Sequence, residues 1–237
     1  MCTHCETTQT IPKLSVIVRS DSFISNVIAA YKKLWLPHVV RRVFGVPFKR
    51  DDLHGLFHAA YLTRSGFKRT EEHALIYKGD IQNLDPGQEV LIRINSACFT
   101  CDVFRDVSCD CNEQLEISFQ MLAAHDGPGI ILYHFAHDGK AHGYVEKLES
   151  YDGVMYPVDG DRRDFRSAIS ILRDLGITKV KVMTNNPEKV KILGEYGMQI
   201  TGIVPIVSAD PSLADFYDYK RGLGHALPTL GVDRQSA

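Results

Sequence analysis

Four cysteines, Cys98, Cys101, Cys109 and Cys111, fall within fourteen residues of one another. Thiolates are soft ligands that suit zinc, and three of them leave the fourth corner of a tetrahedron open to water, the arrangement of a catalytic site. If Cys101 completes the set, the site is structural instead; if no metal binds, these are unlinked core cysteines. Downstream, Asp161-Arg162-Arg163-Asp164-Phe165 packs acids and guanidiniums side by side. It reads either as a solvated helix start or as an arginine fork for phosphate beside a carboxylate that can accept a proton. Thr184-Asn185-Asn186-Pro187-Glu188-Lys189 reads as a polar turn running into a helix N-terminus, either an ordinary cap or an anion site to which Lys189 adds charge. His137 and His142 are surface or core residues unless they lie near an open metal position, where imidazole serves as ligand or acid/base.

The elements that must position these groups are legible from the apolar pattern. Residues 51–97 read as strands and turns, with apolar runs at 74–77 and 90–94 and Asp85-Pro86-Gly87 as a turn between them. The second run delivers Arg93 and Cys98 to a strand end, and Gln114 falls in the first turn of a helix marked by Leu115, Phe119 and Leu122. A buried strand at 130–134 leads into the loop carrying His137, Asp138, Lys140 and His142. A helix at 165–176, a strand at 179–183, a helix from Pro187 to Gly197 and a strand at 199–207 follow. Strands alternating with helices predict a mixed α/β layered structure.

Several of these segments together resemble GTP cyclohydrolase II. Arg93-Ile94-Asn95-Ser96-Ala97-Cys98 followed by Cys109-Asp110-Cys111 is similar to that family's R-x-H-S-E-C…C-D-C-G. Residues 161–165 are similar to its D-x-R-[DE]-[YF], and residues 184–189 to its T-N-N-P-x-K. Val204-Pro205-Ile206 and residues 220–225 resemble its closing V-P-L and K-x-x-K-[ML]-G-H. The resemblance runs from about Ala74 to His225. It implies an α/β (mixed α+β) sheet with flanking helices as a catalytic domain over 71–228, after an extension (1–70) and before a tail (229–237).

The resemblance places zinc on Cys98, Cys109 and Cys111, with Cys101 an extra thiol where the family has glycine. It implies Asp161 as proton acceptor, Arg163 as nucleophile toward the α-phosphate, and Tyr151, with Tyr156 as a rival, as the catalytic tyrosine. A guanidinium is protonated at any working pH, so clamping the phosphate is the easier task for Arg163. Arg93, Gln114, Thr184 and Lys189 are expected to bind substrate. So are Asp138 and Lys140, which stand for the Glu and second Arg of the family's R-x-E-G-R-x-I-G-L loop. The loop's first Arg is Ala136, and the His and Glu before the first zinc cysteine are Asn95 and Ala97. The implied reaction is attack of zinc-activated hydroxide on C8 of GTP, releasing formate. Magnesium-assisted loss of pyrophosphate would accompany it, giving a diaminopyrimidine ribosyl phosphate for a flavin or specialised pathway. The family also implies a homodimer. Another heterocycle, arrest at a formylated intermediate, and a zinc-stabilised nucleotide-binding pseudoenzyme stay open as alternatives.

Composition fits this reading. Over 237 residues, 44% hydrophobic and 24% charged residues are ordinary for a globular protein, and a net charge of -2 argues against nucleic acid as a partner. No apolar run reaches membrane-span length, and clustered cysteines suit a reducing compartment, so a cytosolic location is expected. Met1-Cys2-Thr3-His4-Cys5 reads as a mobile tail, 13–19 as a short strand, and the stretch after Ser22 as a basic amphipathic helix packed on the body.

Overall fold

In the computed structural model, β4 (Glu89–Ser96) shows how sequence becomes a site-bearing element. Strand side chains alternate between faces, so Ile92 and Ile94 enter one core while Leu91 enters the core on the other face, with Arg93 in register with it. Residues 36–65, 70–150 and 160–229 are described. The expectations for the N-terminal cysteines, the strand at 13–19, the following helix, Tyr151 and Tyr156 lie outside them.

A seven-stranded sheet runs in the order β1-β2-β3-β5-β4-β6-β7. The other strands are β1 (His38–Pro47), β2 (Leu56–Arg64), β3 (Thr70–Lys78), β5 (Gly129–His134), β6 (Lys179–Met183) and β7 (Gln199–Val204). From β1 through β3 to β5 the pairing is antiparallel. From β5 through β4 and β6 to β7 it is parallel. Helices α1 (Phe99–Asp102), α2 (Cys111–Ala124), α3 (Asp138–Ala141), α4 (Tyr144–Glu149), α5 (Arg166–Asp174), α6 (Pro187–Glu195) and α7 (Ala214–Gly222) complete the described chain.

Apolar side chains cover both faces. On one, Ala168, Ile169 and Leu172 of α5 and Leu193 of α6 pack on Leu75, Ile92, Ile130 and Val180. On the other, Leu115 and Leu122 of α2 pack on Ile76, Leu91 and Ile131. Burying each of these Leu, Ile and Val side chains contributes about 1.5–3 kcal/mol before entropy. At Gly129, which opens β5, an added Cβ would meet Leu122 Cδ1 and lie 3.2 Å from the Leu91 carbonyl oxygen, so any larger residue would force the buried Leu122 to move.

The strands expected around 74–77, 90–94, 130–134, 179–183 and 199–207 are present, as are the helices beginning near Cys111, Arg166 and Pro187. The expected boundary at residue 70 meets β2 and β3, which pair along their full length from Leu56↔Lys78 to Arg64↔Thr70. Residues 38–64, assigned to an extension, therefore supply two strands of the sheet. Their alternation was masked because β1 is an exposed edge whose polar residues lie on both faces. Helix α7 was not foreseen.

Candidate functional site

The parallel half of the sheet has a switch point at β4. Its chain leaves through α2 to β5 on one side, while β6, on the other side, is entered from α5 on the opposite face. Open parallel sheets bind ligands at such points, outside the carboxyl ends of the strands. A cavity of about 480 Å³ lies there. It is lined by Arg93, Asn95 and Cys98 at and beyond the β4 end, by Lys140 after β5, and by Thr184 and Lys189 beyond β6.

The thiols form one wall. Cys98, Cys109 and Cys111 face the cavity, and none of the four clustered thiols is in a disulfide. Cys98 Sγ lies 3.9 Å from Cys109 Sγ, and Cys101 Sγ lies 3.1 Å from Cys109 Sγ. The sulfurs of Cys98, Cys101 and Cys109 are all within 4.8 Å of one another. Cys111 packs against this trio, so the whole set gathers at one place. Hydrogen bonds from Cys101, Cys109 and Cys111, with Lys147 adding charge, hold the Cys98 thiol far below its ordinary value. Cys101 first, then Cys98, push the Cys109 thiol upward, and Cys109 first, then Cys98, push the Cys111 thiol upward. Close, convergent sulfurs with one already ionised are the donor set of a soft metal centre.

Lys147, on α4, is buried beside these thiols and also lines the cavity. Its ammonium donates to Cys98 Sγ at 3.2 Å, Thr100 Oγ1 at 2.8 Å and Asp138 Oδ1 at 3.1 Å. Burial alone would lower its pKa, but the Cys98 thiolate and Asp138 outweigh burial and raise it. Asp138 also accepts the Phe99 amide at 3.1 Å. It therefore ties the loop to α1 and is not among the cavity-lining residues. Lys140 does line the cavity, with a left-handed φ of 55° that turns the chain after Gly139.

A polar rail crosses the floor. Lys220 Nζ donates to the buried Asp110 at 2.8 Å, Gln114 also donates to Asp110, Arg93 Nη2 donates to Gln114 Oε1 at 3.1 Å, and Arg93 Nε donates to Asn95 Oδ1 at 2.9 Å. Burial pushes the Arg93 guanidinium down to about 10. It remains a cation at neutral pH.

The opposite wall is cationic. Arg163 is gripped by Asp161 through its Nε at 2.9 and 3.1 Å, and its Nη1 reaches Ser96 Oγ at 3.4 Å. Burial would raise the Asp161 carboxyl, but hydrogen bonds from Arg163 hold it below its ordinary value. Lys189 is buried with its ammonium donating to the Ile94 carbonyl at 2.8 Å. Burial first, then Arg93 and Arg163, push it well below its ordinary value. The turn before α6 is closed by the Asn186 amide donating to Thr184 Oγ1 at 3.0 Å and the Glu188 amide donating to Asn186 Oδ1 at 2.9 Å. Asn185 accepts the Ile206 amide at 2.9 Å, and its own carbonyl accepts from Ala226 at 3.0 Å. That clamp brings the segment carrying α7, with Phe216, Tyr219 and Lys220, against the cavity.

These features now meet the comparisons with known proteins. Residues 54–205 match the family model described as GTP cyclohydrolase II. The chain belongs to the GTP cyclohydrolase II family. It is 37% identical over 180 residues to a riboflavin biosynthesis protein RibBA of Rhodococcus erythropolis, covering 70% of this chain and 42% of that protein. It is 35% identical over 170 residues to the RibBA of Aquifex aeolicus, covering 65% and 40%. It is 34% identical over 165 residues to the monofunctional riboflavin biosynthesis protein RIBA 3, chloroplastic, of Arabidopsis thaliana, covering 65% and 31%. The chain thus spans less than half the length of these curated relatives.

Within a GTP cyclohydrolase II member, the residues expected from motifs gather in one cavity, namely Arg93, Cys98, Cys109, Cys111, Gln114, Lys140, Asp161, Arg163, Thr184 and Lys189. His137 lines it too, whereas His142 bonds Glu146 at 2.8 Å on α4. Lys147 and Lys220 escaped notice as site residues. A lone lysine in a short amphipathic helix reads as a solvated charge, and Lys220 sat in a segment quoted only for its likeness. Among the described residues, no helix is long and apolar enough to cross a membrane.

Proposed function

We propose that the chain hydrolytically opens the imidazole ring of a guanine nucleotide, GTP, at C8 and releases formate. Loss of pyrophosphate leaves a diaminopyrimidine ribosyl phosphate. One observation carries the reading: convergent thiols and the cations Arg93, Arg163 and Lys189 open into the same cavity of about 480 Å³. That volume suits a nucleotide-sized ligand. Zinc held by Cys98, Cys109 and Cys111 would supply Lewis acidity and an acidified water beside the purine.

The protein's own groups then divide the work. Lys189 is buried without a carboxylate contact among the described residues, a costly state that an incoming phosphate relieves by giving the ammonium an anionic partner. Thr184 and the N-terminus of α6 add donors from the same side. Arg163 clamps the α-phosphate as a permanent cation, and Asp161, kept ionised by that same guanidinium, takes the proton of the water that attacks the α-phosphorus as pyrophosphate leaves. Arg93, oriented by Asn95 and Gln114, fixes the floor against which the nucleotide lies, and Lys140 contributes charge from the loop. Magnesium, required for the pyrophosphate step on this reading, would be held chiefly by phosphate oxygens and water. Tyr151 is kept as the candidate catalytic tyrosine, the family dimer as the candidate assembly and the cytosol as the location.

A second reading has its own observation. Asp138, expected to bind substrate, turns toward Lys147 and Phe99, which favours a heterocycle other than guanine on the same scaffold. Incubating metal-loaded protein with GTP and magnesium, and following formate and pyrophosphate separately, tests both. Release of both supports the first reading. Release of neither, with turnover of another purine nucleotide, selects the second.

A further inference from the structure

Cys101 is the thiol that the reaction above does not use. It is fully buried and absent from the cavity lining, whereas Cys98, Cys109 and Cys111 all face the cavity. Yet its sulfur lies 3.1 Å from Cys109 Sγ, and Cys101, not Cys111, completes the tightest trio, with all sulfurs within 4.8 Å. A tetrahedral thiolate site with metal–sulfur bonds of about 2.3 Å has sulfur–sulfur edges of about 3.8 Å. The Cys98–Cys109 separation of 3.9 Å is such an edge. Cys98 and Cys109 therefore serve two overlapping trios, one closed by Cys111 at the cavity and the other by Cys101 from behind.

The backbone holds Cys101 in that place. It sits on α1, whose first turn is fixed by the Asp102 amide donating to the Cys98 carbonyl at 2.7 Å and by the Asp102 carboxylate accepting the Cys98 amide at 3.0 Å. Tyr133 donates to the same carboxylate at 2.5 Å, so the turn is anchored to β5 as well. A fourth thiolate adds negative charge, and the Lys147 ammonium, 3.2 Å from Cys98 Sγ, is placed to offset it.

We infer that Cys101 supplies a fourth thiolate to the bound metal in the resting protein, from the side away from the cavity. The position otherwise open to water is then closed until Cys101 leaves. This rests on the reading that these thiols hold a metal. The test is X-ray absorption on the zinc-loaded full chain, with cobalt-loaded protein read by its sulfur-to-metal charge-transfer band, for wild type and Cys101→Ala.

Four sulfurs are expected in wild type and three in Cys101→Ala, with the band weaker by about a quarter if each thiolate contributes alike. Zinc affinity should fall by more than the about tenfold typical of losing an outer-shell partner. Three sulfurs in wild type, or an unchanged count in the variant, overturns the inference. The wild-type count decides even if Cys101→Ala folds poorly. Failure of wild type to take up any metal overturns the metal reading itself, and this inference with it, and is distinguishable from a count of three.

Discussion

Lys147→Met should be among the most damaging single changes in the protein, although Lys147 makes no expected contact with substrate. Its side chain and that of Asp138 are 3% and 4% exposed, with Nζ and Oδ1 3.1 Å apart. At an effective dielectric of 20, the attraction across that distance is about 5 kcal/mol. Desolvation offsets much of it while the pair is intact, but removing one partner leaves Asp138 charged, buried and unpaired, at a cost of about 3–5 kcal/mol. The loss is a large share of the about 5–15 kcal/mol that holds a typical domain folded. Urea denaturation of metal-loaded wild type, Lys147→Met, Asp138→Asn and the double variant measures it. The single lysine variant should lose most, and the double variant should recover a substantial part, because the stranded carboxylate has gone. A loss below about 1 kcal/mol for Lys147→Met, or no recovery in the double variant, would refute the buried-pair reasoning.

Lys189→Met should act with opposite signs on stability and binding. The folded-state pKa of Lys189 lies well below its unfolded value, so its contribution to stability is present above the unfolded pKa and lost as pH falls through the folded one. At neutral pH removing it should therefore raise the urea midpoint, while calorimetry should show guanine nucleotide affinity weakened by about 10- to 100-fold through loss of a charged hydrogen bond. Burial pushes His73 down to about 4 and His137 to about 3, and His134 well down. Stability from all three is present above the unfolded value of about 6.5 and drains away as pH falls toward their folded values. His134→Leu, which removes two buried nitrogens that have no hydrogen-bond partner, should flatten a stability profile taken from pH about 7 to 4; an unchanged slope counts against it. Arg163→Lys loses the fork held by Asp161 and should lower kcat/KM for nucleotide about 10- to 100-fold with little change in melting temperature. Asp161→Asn should lower kcat by about 100-fold or more if the carboxylate accepts a proton.

The parts of the site that were legible in the sequence depend on local spacing. Cys98, Cys109 and Cys111 sit on one strand end and one helix start. Thr184 and Lys189 share a single strand–turn–helix unit, so the sequence separation translates directly into spatial proximity. Asp138 shows where spacing fails. Its position in the loop matches a substrate contact, but Gly139, Lys140 and Ala141 all adopt positive φ, and Lys147 holds the carboxylate toward the thiols. No local pattern announces that partnership, because the ammonium arrives from the next helix. Strand β1 was missed for the reason that edge strands usually are: with solvent on one side, it lacks the apolar run that marks β4 or β5. Helix α7 was missed because Phe216, Tyr217 and Tyr219 are aromatic and Gly222 closes a short element, so helical periodicity has little length in which to show.

The four thiols lie within fourteen residues of chain, whereas the cations facing them come from positions as far apart as Arg93 and Lys220. Closing the short loop costs little chain entropy, while gathering the cations requires strands β4, β5 and β6 to be in register. The two walls of the cavity therefore differ in connectivity, one closed by a short local segment and the other by strands brought together from distant positions. A metal captured by the nascent segment would order α1 and the start of α2 before the sheet exists, giving β4 and β5 a fixed hinge to align on. The cationic wall, with Arg163 and Lys189, needs β4 and β6 to have paired. If the thiols hold a metal, a chain interrupted before α7 should still bind it while lacking the Lys220 ammonium on Asp110.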